Sequence, residues 1–194
     1  MRATLIVLDG PDRVGKFTQT KMLESSLSLL YKVKRVEFPM KDTLTYRPIY
    51  WMLENGLAKK LPNLFQIVQF MNKVSFQVKL LFFQWMYDYI IFDRWICSAA
   101  VYGKVSGASE KLTAFLSWWF WRPDVTIIMT GAALSADAED VYERDEKLQV
   151  AVRKEYAEWY MMNSKNCCMI DNTGTRNNVH NRILNILDFK FGVL

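Results

Sequence analysis

The chain has 194 residues, of which 51% are hydrophobic and 23% are charged, and its formal net charge at pH 7 is +5. These values are typical of one globular domain with a substantial core, and the positive charge suits an anionic ligand, although the chain has no Lys/Arg block of the kind that binds nucleic acid. The three cysteines show neither a disulfide framework nor a metal-binding spacing, and His180 is the only histidine, which argues against zinc sites rich in histidine and against Ser-His or Cys-His catalysis.

The sequence also bears on the cellular compartment. The adjacent Cys167 and Cys168, in a chain with an odd number of cysteines, favour a reducing compartment. The N-terminal apolar run is too short for a signal peptide and leads straight into a glycine loop. The apolar stretch from Leu64 to Met86 is long enough to span a bilayer, but it contains polar and charged residues, so we interpret it as a buried helix. We therefore expect a cytoplasmic protein that associates with neither membranes nor nucleic acid.

The first strand and the loop behind it carry the strongest functional pattern. The apolar run Thr4–Asp9 is followed by Gly-Pro-Asp-Arg-Val-Gly-Lys at 10–16, and a helical pattern with Leu23, Leu27 and Leu30 on one side covers 18–30. Backbone N–H groups of such a P-loop, together with the positive end of the next helix, hold polyphosphate. This order of elements predicts a nucleotide-phosphate site rather than an ordinary glycine turn.

Apolar runs typical of β-strands recur along the chain. They lie at Thr4–Asp9, Val33–Phe38, Tyr89–Asp93, Val125–Thr130 and Cys168–Asp171. Helical patterns separate them, which predicts an α/β domain with a parallel sheet covered by helices on both faces. Because no repeat or linker divides the sequence, we expect a single domain over residues 1–194. Ligands of such sheets bind at the carboxyl ends of the strands, so the residues that follow each strand are the candidates for a site.

The second strand is followed by a proline and a lysine. Pro39 ends the strand because it has no N–H to donate, and Lys41 lies either near the functional edge of the sheet or in solvent.

On the long helix from Leu64, apolar residues share one side at helical spacing: Ile67, Phe70, Val74, Val78 and Leu81. A separate polar stripe contains Gln66, Gln69, Lys73 and Gln77. Such a stripe faces solvent or a polar ligand, and solvent is the commoner case.

The third strand ends in Asp93-Arg94-Trp95, with Ser98 following. The Asp can hold Mg²⁺ directly or through water, and the Arg can fork onto a phosphate, although a structural ion pair is the alternative.

Past the fourth strand, residues 132–149 have few apolar anchors, which predicts a mobile lid or, equally, a solvated helix start with acidic residues in its first turn. Asn172 lies in the exit of the last strand, a natural position for contact with a nucleotide base.

These motifs resemble the thymidylate kinases, a family of P-loop nucleoside monophosphate kinases, nearly from end to end. The resemblance is carried by 9–16, Phe38-Pro39, Asp93-Arg94-Trp95 with Ser98, Arg122-Pro123-Asp124, Tyr142-Glu143 with Leu148-Gln149, Arg153 and Tyr156. The poxvirus and eukaryotic branch is nearest, because arginine stands in the P-loop and the lid is poor in arginine. For a viral member, the compartment would be the host cytoplasm or nucleus.

The resemblance implies a P-loop fold with a five-stranded parallel sheet and a short lid. It also implies transfer of the ATP γ-phosphoryl group to dTMP, or to a related pyrimidine deoxynucleotide, with Mg²⁺ in an enzyme that is usually a homodimer. Its implied catalytic residues are Asp12, which meets the acceptor ribose, Arg13, which stabilises the transferring phosphoryl group, Lys16 on the donor phosphates and Arg94 on the acceptor phosphate. Asp93 would belong to the Mg²⁺ shell.

Further binding positions follow from the same resemblance. Those implied for ATP, beside Arg13 and Lys16, are Gly10, Val14, Gly15, Phe17, Thr18 and Asn172. Those implied for the acceptor, beside Asp12 and Arg94, are Phe38, Lys41, Gln69, Lys73, Ser98, Tyr102 and Tyr142, the last of which would close from the lid.

The sequence departs from the family at four ligand positions. Phe17 replaces the Ser or Thr whose hydroxyl holds Mg²⁺, and it either weakens the metal site or packs under the helix as a folding residue. Lys41 stands where the family has an arginine, and a lysine cannot fork onto a phosphate. Gln69 falls where a phenylalanine stacks on thymine, and Lys73 falls where an arginine reads the base.

Two other functions remain open on the residues alone. A deoxynucleoside kinase shares the P-loop and the Asp-Arg pair, but it needs a carboxylate base after the second strand, and we expect Glu37 to point along that strand instead. A catalytically weak or inactive nucleotide-binding protein is the other alternative, and Phe17 is its best support.

Overall fold

The computed structural model of the chain describes residues 2–134 and 145–193. Its five strands form one parallel sheet in the order β2-β3-β1-β4-β5. The strands are β1 Thr4–Asp9, β2 Val33–Glu37, β3 Tyr89–Asp93, β4 Val125–Thr130 and β5 Cys167–Asp171. The predicted α/β fold with a five-stranded parallel sheet is therefore confirmed. The strand ends match the predicted ends except that β2 stops one residue earlier and β5 starts one residue earlier.

Helices connect consecutive strands across the faces of the sheet. In the described residues they are α1 Lys16–Leu27, α2 Tyr46–Glu54, α3 Leu57–Lys60, α4 Pro62–Met86, α5 Ile96–Val105, α6 Glu110–Trp118, α7 Glu146–Asn163 with a 3₁₀ turn at Ser164–Asn166, and α8 Arg176–Phe191. Within residues 2–134 and 145–193, no helix is long and apolar enough to cross a membrane.

The three central strands β1, β3 and β4 are buried on both faces, which explains why they are largely apolar rather than alternating, whereas the edge strand β2 contains Lys34 and Arg35 and is mostly half-buried. Successive side chains of a strand point to opposite faces, so Ile6 and Leu8 of β1 pack in a core with α1 and α8. Leu5 and Val7 lie on the other face, in a core that includes Phe76 of α4. The two cores hold the carboxyl ends of β1, β2 and β3 at one edge.

The predicted run of α1 to residue 30 was wrong. The helix ends at Leu27, and the next three residues form a turn in which the amides of Leu30 and Tyr31 donate to the carbonyl of Leu27. Leu30 is consequently 75% exposed rather than packed beside Leu23.

The orientation of α4 was also wrong in part. Of the side expected to be apolar and buried, Ile67, Val78 and Leu81 are 38–56% exposed. Two members of the polar stripe, Gln66 and Lys73, are instead buried at 4% and 5% exposure. The helix packs through an intermediate face that includes Phe65, Phe76 and Leu80, and this rotation turns the polar stripe away from solvent.

Candidate active site

The P-loop joins β1 to α1 and fits the conformation expected for phosphate binding. Gly10 has φ 141°, and a Cβ there would overlap the carbonyl of Met129, so no larger residue fits. Gly15 has φ 93° and caps α1, whose positive end therefore faces the loop. Lys16 is buried, its Nζ donates to the carbonyl of Pro11, and burial lowers its pKa to about 8.

A cleft of about 990 Å³ opens beside the P-loop at the carboxyl ends of the strands. The predicted site residues that line it are Asp12, Arg13, Val14, Gly15, Lys16, Phe17, Thr18, Phe38, Lys41, Gln69, Lys73, Asp93, Arg94, Ser98, Tyr102 and Asn172. Gly10 is not among the lining residues, and Tyr142 lies outside the described residues, as does most of the predicted lid. The structure thus brings the predicted positions of donor and acceptor into one cavity, while their roles remain predictions.

An ion pair joins the P-loop to the end of β3. Nη2 of Arg94 contacts Oδ1 of Asp12, and Nη1 donates to the carbonyl of Gly10 at 3.3 Å. Oδ2 of Asp12 accepts hydrogen bonds from Oη of Tyr102 at 2.7 Å and from Nε2 of Gln149 at 2.8 Å. Burial opposes the charge of Asp12, but Arg94, Lys16 and these hydrogen bonds outweigh burial and hold the pKa of Asp12 below its usual value.

The charge of Asp9 is buried and fully satisfied next to this pair. Its Oδ1 accepts from the amide of Gly10 at 2.9 Å and from Oη of Tyr156 at 2.7 Å, while Oδ2 accepts from the amides of Trp95 at 3.2 Å and Ser98 at 3.0 Å. Asp9 therefore fastens β1, α7 and the turn after β3 together. Sequence reasoning treated it only as part of the P-loop motif. A charged residue ending a fully apolar strand was the available signal, because such a carboxylate must find donors.

A second residue missed from the sequence is Asn72 of α4. Its Oδ1 accepts from the amide of Met40 at 2.8 Å, and its Nδ2 donates to the hydroxyls of Thr43 at 2.6 Å and Thr45 at 3.1 Å. These bonds hold the segment after β2 against α4. Lys41, next to the anchored Met40, is thereby placed on the rim of the cleft.

The part of the cleft predicted to hold the acceptor is polar at position 69, where the resemblance implied a stacking ring. Nζ of Lys73 lies 3.5 Å from Oε1 of Gln69, and burial lowers the pKa of Lys73 to about 8. The neighbouring Phe70 packs against Phe120, with ring centroids 5.2 Å apart, and cannot take the place of a ring at position 69. Unlike the solvent-facing stripe that was expected, these polar groups face the ligand cavity.

Aromatic side chains reach the cleft from another direction. Tyr46 and Tyr50 of α2 line it and pack together with ring centroids 4.6 Å apart. Phe65 of α4 also lines it. These rings were not predicted as site residues, because one-turn spacing in a short helix is equally typical of a core face.

Phe17 is neither a metal ligand nor a core residue. Its side chain is 45% exposed, Nζ of Lys21 lies 4.3 Å from its ring centroid and Cζ of Arg35 lies 5.2 Å from it. The alternative that Phe17 packs under the helix is therefore wrong. The expectation for Glu37 was also wrong, because Glu37 lines the cleft beside Asp93.

Asp93 is suited to hold a divalent cation. It is 5% exposed, lines the cleft, and accepts no hydrogen bond from a side chain in residues 2–134 or 145–193. Burial raises its pKa, while the charges of Lys16 and Arg94 act in the opposite direction. A buried carboxylate open to a phosphate cavity fits Mg²⁺, which takes one or two carboxylates and fills its shell with water and phosphate oxygens.

Comparison with known proteins identifies the relatives of this chain. A family model of thymidylate kinases matches residues 8–183. A thymidylate kinase of African swine fever virus is 28% identical over 136 residues, which cover 67% of this chain and 52% of the viral protein. The chain thus spans about half the length of this curated relative.

Solved structures show the same fold. A thymidylate kinase from Candida albicans superposes with a TM-score of 0.79 at 21% identity, covering 100% of this chain and 94% of that one. The thymidylate kinase from Ehrlichia chaffeensis gives 0.74 at 22% identity, covering 96% and 100%. Since the family match extends over most of the sequence and includes the P-loop and the strand ends that build the cleft, the chain belongs to the thymidylate kinase family.

Proposed function

We propose that this chain transfers the γ-phosphoryl group of ATP to dTMP, or to a related pyrimidine deoxynucleoside monophosphate, and releases the diphosphate. The observation that carries the proposal is the shared cleft. Lys16 of the P-loop and Arg94 of β3 line the same cavity, with Asp12 between them as the partner of Arg94. A donor phosphate on the P-loop and an acceptor phosphate on Arg94 would meet there.

The donor would be held by the P-loop and by the positive end of α1. Loop amides and the Lys16 ammonium would bind the β- and γ-phosphates. Burial lowers the pKa of Lys16 to about 8, and the negative charge of a bound triphosphate would raise this pKa again. Arg13, which adopts φ 60° in the loop, would stabilise charge on the transferring group.

The acceptor would lie between the P-loop, β3 and α4. Arg94 would fork onto its phosphate, and Asp12 would accept a hydrogen bond from the sugar. Lys41 would approach the phosphate from the rim, while Gln69 and Lys73 would contact the base. Two hydrogen-bond donors on α4 suit the carbonyl oxygens of a pyrimidine.

The chemistry needs little beyond this placement. A phosphate acceptor is already ionised, so the transfer depends on positioning and on stabilisation of charge rather than on a strong base. Mg²⁺, when bound, would neutralise negative charge on the donor oxygens, and Asp93 is the residue we expect to hold it.

A homodimer is the assembly that the surface of α4 favours. Apolar residues follow one another at alternating spacings of three and four, and most are exposed: Leu64, Ile67, Met71, Val74, Val78, Leu81 and Trp85. Trp118, the last residue of the adjacent α6, and Trp119 directly after it are exposed as well. Such a stripe is typical of a helix that packs against a copy of itself. Replacing Trp85 by Glu should convert a dimer to a monomer in sedimentation velocity, and a monomeric wild type would contradict the assignment.

One observation keeps a deoxynucleoside kinase as the second candidate. Glu37 lines the cleft at the carboxyl end of β2, where such an enzyme needs a carboxylate base. A neutral 5′-hydroxyl must lose its proton during transfer, which a phosphate acceptor does not require.

The decisive experiment is a panel of nucleosides and nucleoside monophosphates assayed with MgATP. Turnover confined to monophosphates, with dTMP among the best, would support the proposal, and turnover of nucleosides alone would replace it with the second candidate. If the chain bound ATP but phosphorylated none of these acceptors, we would conclude that it is a nucleotide-binding protein without kinase activity. Lys16→Ala is the matched blank, because it removes the donor contact.

A further inference from the structure

The P-loop of this chain lacks the side-chain oxygen that would normally contact the magnesium ion. Phe17 occupies that position, and its ring lies beside Lys21 and Arg35 instead of presenting a ligand. A magnesium ion that arrives with a nucleotide still needs oxygen ligands, because it prefers a complete octahedral shell. Another residue of the cleft must therefore supply the missing contact, or the ion is held by fewer protein groups.

Two carboxylates end neighbouring strands beside this position. Glu37 is the last residue of β2, Asp93 is the last residue of β3, and the two are register partners in the parallel ladder. Adjacent strands lie about 4.8 Å apart, and partners in register project to the same side of the sheet. Both residues line the cleft together with Lys16 and Phe17. Carboxylates on register partners of neighbouring strands can share one small cation, directly or through water.

Neither carboxylate accepts a hydrogen bond from a side chain within residues 2–134 and 145–193. Asp93 is only 5% exposed, yet no side chain within the described ranges donates a hydrogen bond to it. Nη1 of Arg35 lies 3.8 Å from Oε2 of Glu37, which is too long for a hydrogen bond.

Glu37 is close to the position where the hydroxyl is missing. The side chain of Arg35 contacts both residues, since its Cζ is 5.2 Å from the ring centroid of Phe17 and its Nη1 is 3.8 Å from Glu37. A ligand from the end of β2 would therefore approach the donor phosphates from the same side as a hydroxyl at position 17.

We propose that Glu37 and Asp93 together bind the magnesium ion of the donor nucleotide, with Glu37 replacing the ligand that Phe17 does not provide. The inference rests on the proposed function only in that the ion arrives with ATP. Phosphate oxygens and water would complete the shell. Glu37 thereby becomes a binding residue for the donor complex.

The test uses Mn²⁺ as a paramagnetic probe, read by electron paramagnetic resonance in the presence of ATP. Glu37→Gln keeps the size of the side chain and removes its charge. It should weaken Mn²⁺ binding to the protein–ATP complex by about tenfold or more, while binding of ATP in EDTA stays unchanged. Glu24→Gln is the matched control, because Glu24 also pairs with Arg35, at 3.2 Å, but does not line the cleft; it should bind Mn²⁺ like the wild type.

The outcomes separate this inference from the proposed function. Wild-type Mn²⁺ affinity in a folded Glu37→Gln protein would overturn the metal role, as would an equal loss in Glu24→Gln. Because the readout needs no acceptor, a chain that binds MnATP through Glu37 but phosphorylates no monophosphate would uphold this inference and refute the proposed function. Adding Phe17→Thr to Glu37→Gln should recover Mn²⁺ affinity, and a failure to recover would overturn the idea that Glu37 replaces position 17.

Discussion

Nε2 of Gln149 donates a 2.8 Å hydrogen bond to Oδ2 of Asp12, across 137 residues of sequence. Gln149 lies in the first turn of α7 and is the last residue of the segment 132–149 that was predicted as a lid, and Asp12 lies in the P-loop. The bond therefore connects the start of α7 to the carboxylate that pairs with Arg94.

Removing this bond should change the acidic side of the pH profile of kcat/KM. Gln149→Leu leaves a side chain of similar size without a donor, so the pKa of Asp12 should rise toward its usual value. We expect kcat/KM for the acceptor to fall about tenfold or more, since a hydrogen bond to a charged group contributes about 1.5–3 kcal/mol, and we expect the acidic pKa of the kcat/KM profile to rise. An unchanged acid limb would mean that Gln149 only packs.

The same lowered pKa predicts how stability depends on pH. The folded-state pKa of Asp12 lies below its ordinary value of 3.8, so ionised Asp12 stabilises the native state above pH 3.8. That stabilisation is lost as the pH falls through the folded-state pKa. In urea unfolding, the Asp12 contribution should be smaller in Gln149→Leu than in the wild type, and its loss should be complete at a higher pH, because the folded-state pKa of Asp12 lies closer to the unfolded-state value. Coincident pH profiles of the two proteins would contradict this coupling.

Arg13 is expected to act mainly in the transition state. Arg13→Ala should lower kcat by about 10³-fold or more while ATP still binds, because a positive charge on the transferring phosphoryl group contributes that much in related phosphotransferases. Stopped-flow or single-turnover assays with an independent ATP titration separate the two effects. A kcat within a few-fold of the wild type would remove Arg13 from this role.

Gln69→Phe should restore a stacking surface for thymine. The affinity for dTMP should improve by roughly 0.5–1.5 kcal/mol, and dTMP should gain over dCMP in relative kcat/KM. Met71→Phe is the control, since residue 71 is exposed in the apolar stripe and does not line the cleft. Equal relative kcat/KM values across the acceptors in Gln69→Phe and the wild type would count against placing the base at residue 69.

At neutral pH, the free energy of unfolding of the unliganded protein should be lower with Lys73 than with an uncharged side chain of similar size. Burial lowers its pKa from 10.5 to about 8, so the unfolded chain binds more protons than the native state between those values, and the contribution of Lys73 to stability improves as the pH rises from about 8 to 10.5. Lys73→Met should be more stable than the wild type at pH 7, with an advantage that shrinks toward pH 10. A constant difference across urea titrations at several pH values would contradict this explanation.

Phe17→Thr should add a ligand for the metal at little structural cost. Half-maximal activity should need less Mg²⁺, and kcat should rise. Because Phe17 is 45% exposed and contacts Lys21 and Arg35 through cation–π interactions of about 0.5–1 kcal/mol each, the melting temperature should fall only slightly. A large drop in melting temperature with an unchanged Mg²⁺ dependence would contradict the metal argument.

The positions of the strands along the chain, and most of their ends, could be predicted from the sequence alone. The central strands β1, β3 and β4 are buried on both faces, so each appears as a largely apolar run, and strands stop at a breaker or a charged residue, such as Gly10 after β1 or Pro39 after β2. The P-loop could also be predicted from the sequence, because its glycines, its lysine and the helix that follows it are adjacent in the chain. All of these features depend on residues that are close together in the sequence, so local sequence patterns are sufficient to predict them.

Only the tertiary structure decided which side of α4 meets the ligand cavity and what holds Asp9 and Asp12. Helical spacing shows which residues of α4 share a face, but the sheet, the segment after β2 and α6 decide whether Lys73 faces the cleft or solvent. The donors to Asp9 come from Tyr156 and two backbone amides after β3 as well as from its neighbour Gly10. Such long-range bonds form only when the chain brings distant segments together, and no local pattern encodes them.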